Sequence, residues 1–163
     1  MADVFDEIHK MLHKARNNSG YYDEILSLLL GSACDDVRAP YREDMNHAWY
    51  IIGDIYYTLK AFEKAKIAFL KSIDYWSEDI DALMALANTY VELDEPYEAK
   101  KHLLKALELN PDSDKILYNL GNAYFDLEEY KNAIKYYSKV NNYPLKTQAE
   151  TNSKIAESKR KKQ

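Results

Sequence analysis

Residues 120–133 read LGNAYFDLEEYKNA, a helix-like stretch that sets Gly121, Ala123 and Ala133 among tyrosines and a phenylalanine. The same pattern stands 34 residues earlier as LANTYVELDEPYEA at 86–99, and 34 earlier again as IGDIYYTLKAFEKA at 52–65. A period of this length marks units that cannot bury an apolar face alone and must stack on their neighbours.

The register is clear along the first helix of each unit. Trp49, Leu83 and Leu117 share one position, followed by Ile52, Leu86 and Leu120, then Gly53, Ala87 and Gly121, then Tyr56, Tyr90 and Tyr124. Positions 49, 52, 53 and 56 follow the i, i+3, i+4, i+7 spacing of one helix face, which is therefore read as core. The second helices align Ala65, Ala99 and Ala133, then Phe69, Leu103 and Tyr137. Small residues at Gly53, Ala87 and Gly121 let a partner helix approach, and the aligned alanines are expected to offer the matching flat spots. Helices are predicted over 46–59, 62–75, 80–92, 96–109, 114–126 and 129–140, with Pro111 standing where a helix has stopped.

Trp49, Ile52-Gly53, Tyr56, Ala65 and Phe69 at a 34-residue period resemble the tetratricopeptide repeat family, and residues 114–137 are especially close to its pattern. The resemblance implies an all-α, right-handed α-solenoid of antiparallel helix pairs, with three units at about 46–79, 80–113 and 114–147. Ser72 departs from the family's usual alanine, and Ser77 and Leu145 from its usual proline. Domain organisation follows: 1–45 as an N-terminal helical pair with a connector, 46–147 as the three repeats, 148–163 as a capping helix and basic tail. In the first segment, VFDEIHKMLHKA (4–15) and YYDEILSLLLGSA (21–33) read as helices joined by NNSG at 17–20. They form either a degenerate fourth unit over about 6–39 or a plain helical cap of the stack. A final helix from about 145 to 159 carries a sparse stripe of Leu145, Ala149, Ile155 and Ala156, as expected of a solvating end cap.

Four glycines and four prolines in 163 residues disfavour a turn-rich β fold. The net charge of −5 hides an asymmetry. Lys154, Lys159, Arg160, Lys161 and Lys162 crowd the last ten residues against Glu157 alone, so the body is the more acidic and disfavours nucleic acid. A short basic end of this kind is read as a solubilising terminus that complements the C-terminal helix dipole, rather than as an RNA or membrane contact. A single cysteine, Cys34, excludes an internal disulfide framework or a multi-cysteine metal site. No apolar run reaches signal-peptide or membrane-span length, and the expected compartment is the cytoplasm.

Catalysis finds little to work with. Cys34 sits beside Asp35 and Asp36, whose charges disfavour a thiolate. His9 and His13 lie one helical turn apart but lack the further ligand of a metal site. The glycines are scattered, so no phosphate loop exists. The expectation is a protein that is not an enzyme, with no cofactor, metal or small-molecule substrate.

What remains is a binding surface. The concave face of such an array is lined by first helices, whose outward residues align as Tyr50, Met84 and Tyr118, then Ile51, Ala85 and Asn119, then Asp54, Asn88 and Asn122, then Tyr57, Val91 and Phe125, with Lys115 at the edge. An asparagine column can hydrogen-bond an extended peptide backbone whatever its side chains, and the flanking rings supply apolar pockets. The expected groove comprises Tyr50, Asp54, Tyr57, Met84, Asn88, Val91, Lys115, Tyr118, Asn119, Asn122 and Phe125. The expected role is an adaptor or chaperone-like module binding an extended or helical segment of another protein; the alternative is a homo-oligomeric scaffold. In size and architecture the chain is also similar to secretion chaperones of this family. The family's carboxylate clamp for heat-shock chaperones is disfavoured, because only Lys115 matches it and Asp54 would repel a carboxylate.

Overall fold

The computed structural model describes residues 5–15, 20–31 and 36–162. Cys34 and most of the NNSG turn lie outside the described residues. The chain divides into two compact halves, one ending at Ser77 and the other beginning at Glu78.

The N-terminal half contains α1 (Asp6–Ala15), α2 (Gly20–Leu29), a 3-10 turn (Tyr41–Asp44), α3 (Met45–Thr58) and α4 (Phe62–Tyr75). Neighbours pack in sequence, α1 on α2, α2 on α3 and α3 on α4. Ile8 of α1 and Ile25 and Leu29 of α2 share one core with Trp49, Ile51, Ile52 and Ile55 of α3. The segment before Met45 is therefore joined to the first repeat by continuous apolar packing. α2 stops at Leu29, four residues short of the expected end, because the chain doubles back: Leu30 bridges Val37, and the Arg38 amide donates to the Leu29 carbonyl at 2.8 Å. Arg42 closes this loop by pairing with Asp36 and donating to the Val37 carbonyl. Trp49 is buried with the Lys71 ammonium 3.9 Å over its ring, whereas Trp76 is exposed.

The C-terminal half holds α5 (Ile80–Glu92), α6 (Pro96–Leu109), α7 (Asp114–Asp126), α8 (Tyr130–Tyr137) and α9 (Leu145–Arg160). Each packs on the next up to α8, and α9 lies on both α8 and α7. The Asp79 carboxylate caps α5 by accepting from the Ala82 amide at 3.0 Å, as Asp44 caps α3 through the His47 amide.

The repeat is written into the turns as well as the helices. Lys60, Asp94 and Glu128, spaced by the 34-residue step, all adopt φ of 59°. In each case the following amide reaches five residues back, Ala61 to Tyr56, Glu95 to Tyr90 and Glu129 to Tyr124, closing the Schellman geometry that satisfies the last carbonyls of the helix. Glycine usually holds this left-handed position, and here three side-chain-bearing residues do.

Packing between paired helices places aromatic rings at the glycines, as expected of aromatics filling the space beside small residues. A Cβ placed on Gly53 would lie 2.6 Å from Cδ1 and Cε1 of Phe69, and one on Gly121 would collide with the ring of Tyr137. Each glycine thus makes room for an aromatic ring of the second helix. At the aligned middle positions stand Ala87 and Leu103, both buried, a first-helix residue larger than glycine and a second-helix residue smaller than a ring. Ser72, the departure from the family pattern, is fully buried and satisfied by Asn46: its hydroxyl donates to the Asn46 carbonyl at 3.0 Å and accepts from Asn46 Nδ2 at 2.9 Å. Among the described residues no helix is long and apolar enough to cross a membrane.

Candidate functional site

The outward residues of α5 and α7 carry the asparagines. Asn119 Nδ2 donates to Asn88 Oδ1 at 3.2 Å, which links the two helices across their exposed edge. Asn122 Oδ1 accepts from the Tyr137 hydroxyl at 2.8 Å and from Asn152 Nδ2 at 3.3 Å. Asn152, one of the polar residues of α9, also donates to the Tyr118 hydroxyl at 3.2 Å. These bonds consume the Asn88 and Asn122 oxygens and the Asn119 nitrogen. The Asn88 and Asn122 amide nitrogens and the Asn119 oxygen make no hydrogen bond to another described side chain, so two donors and one acceptor remain for a ligand.

Beside them opens a depression of about 320 Å³ lined by Val91, Asn122, Phe125, Asp126, Tyr137, Asn152 and Ile155. Phe125 is held edge-on against Tyr130 with centroids 5.3 Å apart, and Tyr118 is tilted against Tyr137 at 6.0 Å. Val91 and Ile155 are exposed at 41% and 46%, which leaves apolar surface open on two walls. Burial raises the Tyr137 hydroxyl's pKa strongly, with the Asn152 hydrogen bond opposing it, so the group is a fixed neutral donor. Burial, then the nearby Asp94 carboxylate, raises the Asp126 pKa above the ordinary aspartate range. Met84 is half-buried on α5, and Lys115 is exposed at the first turn of α7.

The remaining expected residues lie in the N-terminal half. Tyr50 is tilted against Phe69 at 5.8 Å and Tyr57 sits edge-on to Phe62 at 5.4 Å. Asp54 lines a separate depression of about 560 Å³ with His9, Leu12, His13, Tyr22 and Thr58, supplied by α1, α2 and α3. Ile51, aligned with the outward Ala85 and Asn119, is instead buried at 4% in the core formed with α1 and α2. His9 and His47 bring their Nε2 atoms within 3.1 Å beside Phe5. No group of three or more metal-ligating side chains occurs among the described residues.

Comparison with known families agrees with this architecture. The tetratricopeptide repeat family profile matches residues 47–75, and that of anaphase-promoting complex, cyclosome, subunit 3 matches residues 69–140. The chain is a tetratricopeptide-repeat protein. Comparison with curated proteins gives no match. Among solved structures, the crystal structure of MamA is 18% identical with a TM-score of 0.72, the match covering 98% of this chain and 84% of that one. YrrB, described as a TPR protein with an unusual peptide-binding site, is 20% identical with a TM-score of 0.71, covering 96% and 75%. The first TPR of Spaghetti (RPAP3), bound to the HSP90 peptide SRMEEVD, is 21% identical with a TM-score of 0.62, covering 68% and 92%. The shared tetratricopeptide fold is thus found in modules that hold peptides.

Sequence reasoning missed four lining residues of the tetratricopeptide array: Asp126, Tyr137, Asn152 and Ile155. In the sequence Tyr137 reads only as a packing residue, and Ile155 as part of the sparse apolar stripe of the cap. In α9 the buried positions are Ala149 and Ala156, while Ile155 faces out. Asn152 and Ile155 are three apart on one helix face, and that spacing was the available signal.

Proposed function

We propose that the chain is a non-catalytic interaction module that binds an extended segment of a partner protein along the outward face of α5 and α7, with α9 as a wall. The unspent hydrogen-bonding atoms of Asn88, Asn119 and Asn122 beside the Val91, Phe125 and Ile155 depression carry this reading. Donors and acceptors without a side-chain partner among the described residues suit a peptide backbone, and exposed apolar walls suit its side chains. In this scheme residues 46–147 are the repeats, 1–45 an N-terminal helical pair and 148–163 a cap that also shapes the groove. Tyr118 and Met84 flank the backbone track and Lys115 marks its edge; Tyr50, Asp54 and Tyr57 are proposed as a contact surface of the N-terminal half by itself. The proposed setting is the cytoplasm, with no cofactor.

Selection of displayed random peptides on the full chain tests it. Segments retained by the native chain should lose at least tenfold in affinity on the Asn88→Ala, Asn122→Ala double variant, once circular dichroism shows that the variant is folded. Retention of the same segments by the variant, or failure to select any, would overturn the groove. A second reading, self-association into a scaffold, is favoured by the exposed Ile67, Tyr75 and Trp76 of the N-terminal half. Sedimentation over a concentration series distinguishes it, since an adaptor stays monomeric until its ligand is added.

A further inference from the structure

Asp126 is the only charged side chain among the seven residues that line the depression between α7 and α9. It closes the last turn of α7, where the helix dipole already disfavours a negative charge. Asp94, at the left-handed position of the turn after α5, adds a second carboxylate near it. No lysine or arginine pairs with either carboxylate among the described residues. Glu129, by contrast, accepts from Lys100 at 3.0 Å and from Asn132 at 2.7 Å, which lowers its pKa. Asp126 therefore stands as an uncompensated anion beside Val91, Phe125 and Ile155.

We infer that this depression receives a lysine or arginine side chain of the bound partner segment, its aliphatic stem lying along Val91, Phe125 and Ile155 and its charged head meeting Asp126. The inference rests on the groove reading above and specifies the chemistry of its ligand. Long basic side chains combine an apolar stem with a charged tip, which matches a pocket that is apolar on its walls and anionic at one point. The Phe125 ring adds a face that attracts a cation. An ammonium or guanidinium head would relieve the repulsion between Asp126 and Asp94, which adds to the larger effect of burial in raising the Asp126 pKa. An acidic segment meets the opposite: a third negative charge brought to the same point.

The test is peptide selection on three full-length proteins, the native chain, Asp126→Asn and Asp126→Lys, using one random dodecamer library, followed by fluorescence anisotropy of the enriched peptides. The native chain should enrich a lysine or arginine at a fixed place next to an apolar residue. Asp126→Asn should weaken those peptides about tenfold, an effect that shrinks as salt rises, and Asp126→Lys should exchange the preference for aspartate or glutamate. Peptides that depend on Asn88 and Asn122 yet show no basic position, or keep it against Asp126→Lys, would overturn this inference while leaving the groove intact. Failure to enrich any peptide on all three proteins would overturn both. A concentration-dependent mass in sedimentation that disappears on removing residues 158–163 would show the chain's own basic tail as the occupant, and would overturn the assignment to a partner.

Discussion

Three aligned helix crossings in this molecule solve one packing problem in two ways. At Gly53 and Gly121 the first helix gives up its side chain entirely and the second supplies a ring, Phe69 or Tyr137. At the middle crossing Ala87 keeps a methyl and the second helix supplies the smaller Leu103. Position and period are the same, so what the repeat specifies is the summed volume at the crossing rather than the identity of either residue. A family position that tolerates glycine or alanine is thus tied to another sixteen residues later.

Truncating the large partner should have the greatest effect. Phe69→Ala leaves a cavity with only glycine opposite and is expected to cost about 3–5 kcal/mol in urea unfolding, against about 2–5 kcal/mol for Leu103→Ala. Equal small losses at both would mean that the rings are not what fills these crossings. Adding a methyl opposite the ring comes next. Gly53→Ala should destabilise by about 1–3 kcal/mol through overpacking. The double variant Gly53→Ala with Phe69→Leu reproduces the middle crossing and should recover most of that loss. Independent, additive effects would break the volume rule.

The turns that space the crossings are the same in all three repeats, so their response should be the same. Lys60→Gly, Asp94→Gly and Glu128→Gly should each stabilise by roughly 0.5 kcal/mol, because relief of the left-handed strain exceeds the added chain entropy. A gain at one turn alone, read from thermal melts, would show the turns to be unequal. The smallest effect belongs to the groove beside the Gly121 crossing. Asp126 has a folded pKa above its ordinary value of 3.8, so the folded chain is stabilised by the proton and loses that advantage as pH rises from the ordinary value through the raised one. Asp126→Asn should therefore melt higher than the native chain at neutral pH. The gain should vanish below the ordinary aspartate value.

Much of this fold was legible because periodicity reports burial. The helices from α3 to α7 begin and end within a residue of expectation, since the core positions recur at 34 and the stops are marked by turns of fixed length. The left-handed residues were not legible, because Lys60, Asp94 and Glu128 carry no glycine signature. Ile51 was misread through alignment alone: its counterpart is Asn119, and an isoleucine there announces a surface covered by α1 and α2. The C-terminal wall was hidden for the opposite reason. α9 lies outside the repeat, so no period could flag Asn152 or Ile155, and its polarity suggested only solvent.

Both tryptophans of the chain, the buried Trp49 under Lys71 and the exposed Trp76, belong to the N-terminal half, and the C-terminal half is rich in tyrosine but holds no indole. Nature has in effect labelled one half of the molecule and left the other dark. Indole emission follows α1 to α4 by itself, whereas far-ultraviolet dichroism sums over every helix. Superimposed denaturation curves from the two signals would report a single cooperative block. Displaced curves would resolve the free energies of the two halves separately, without a mutation or a dye.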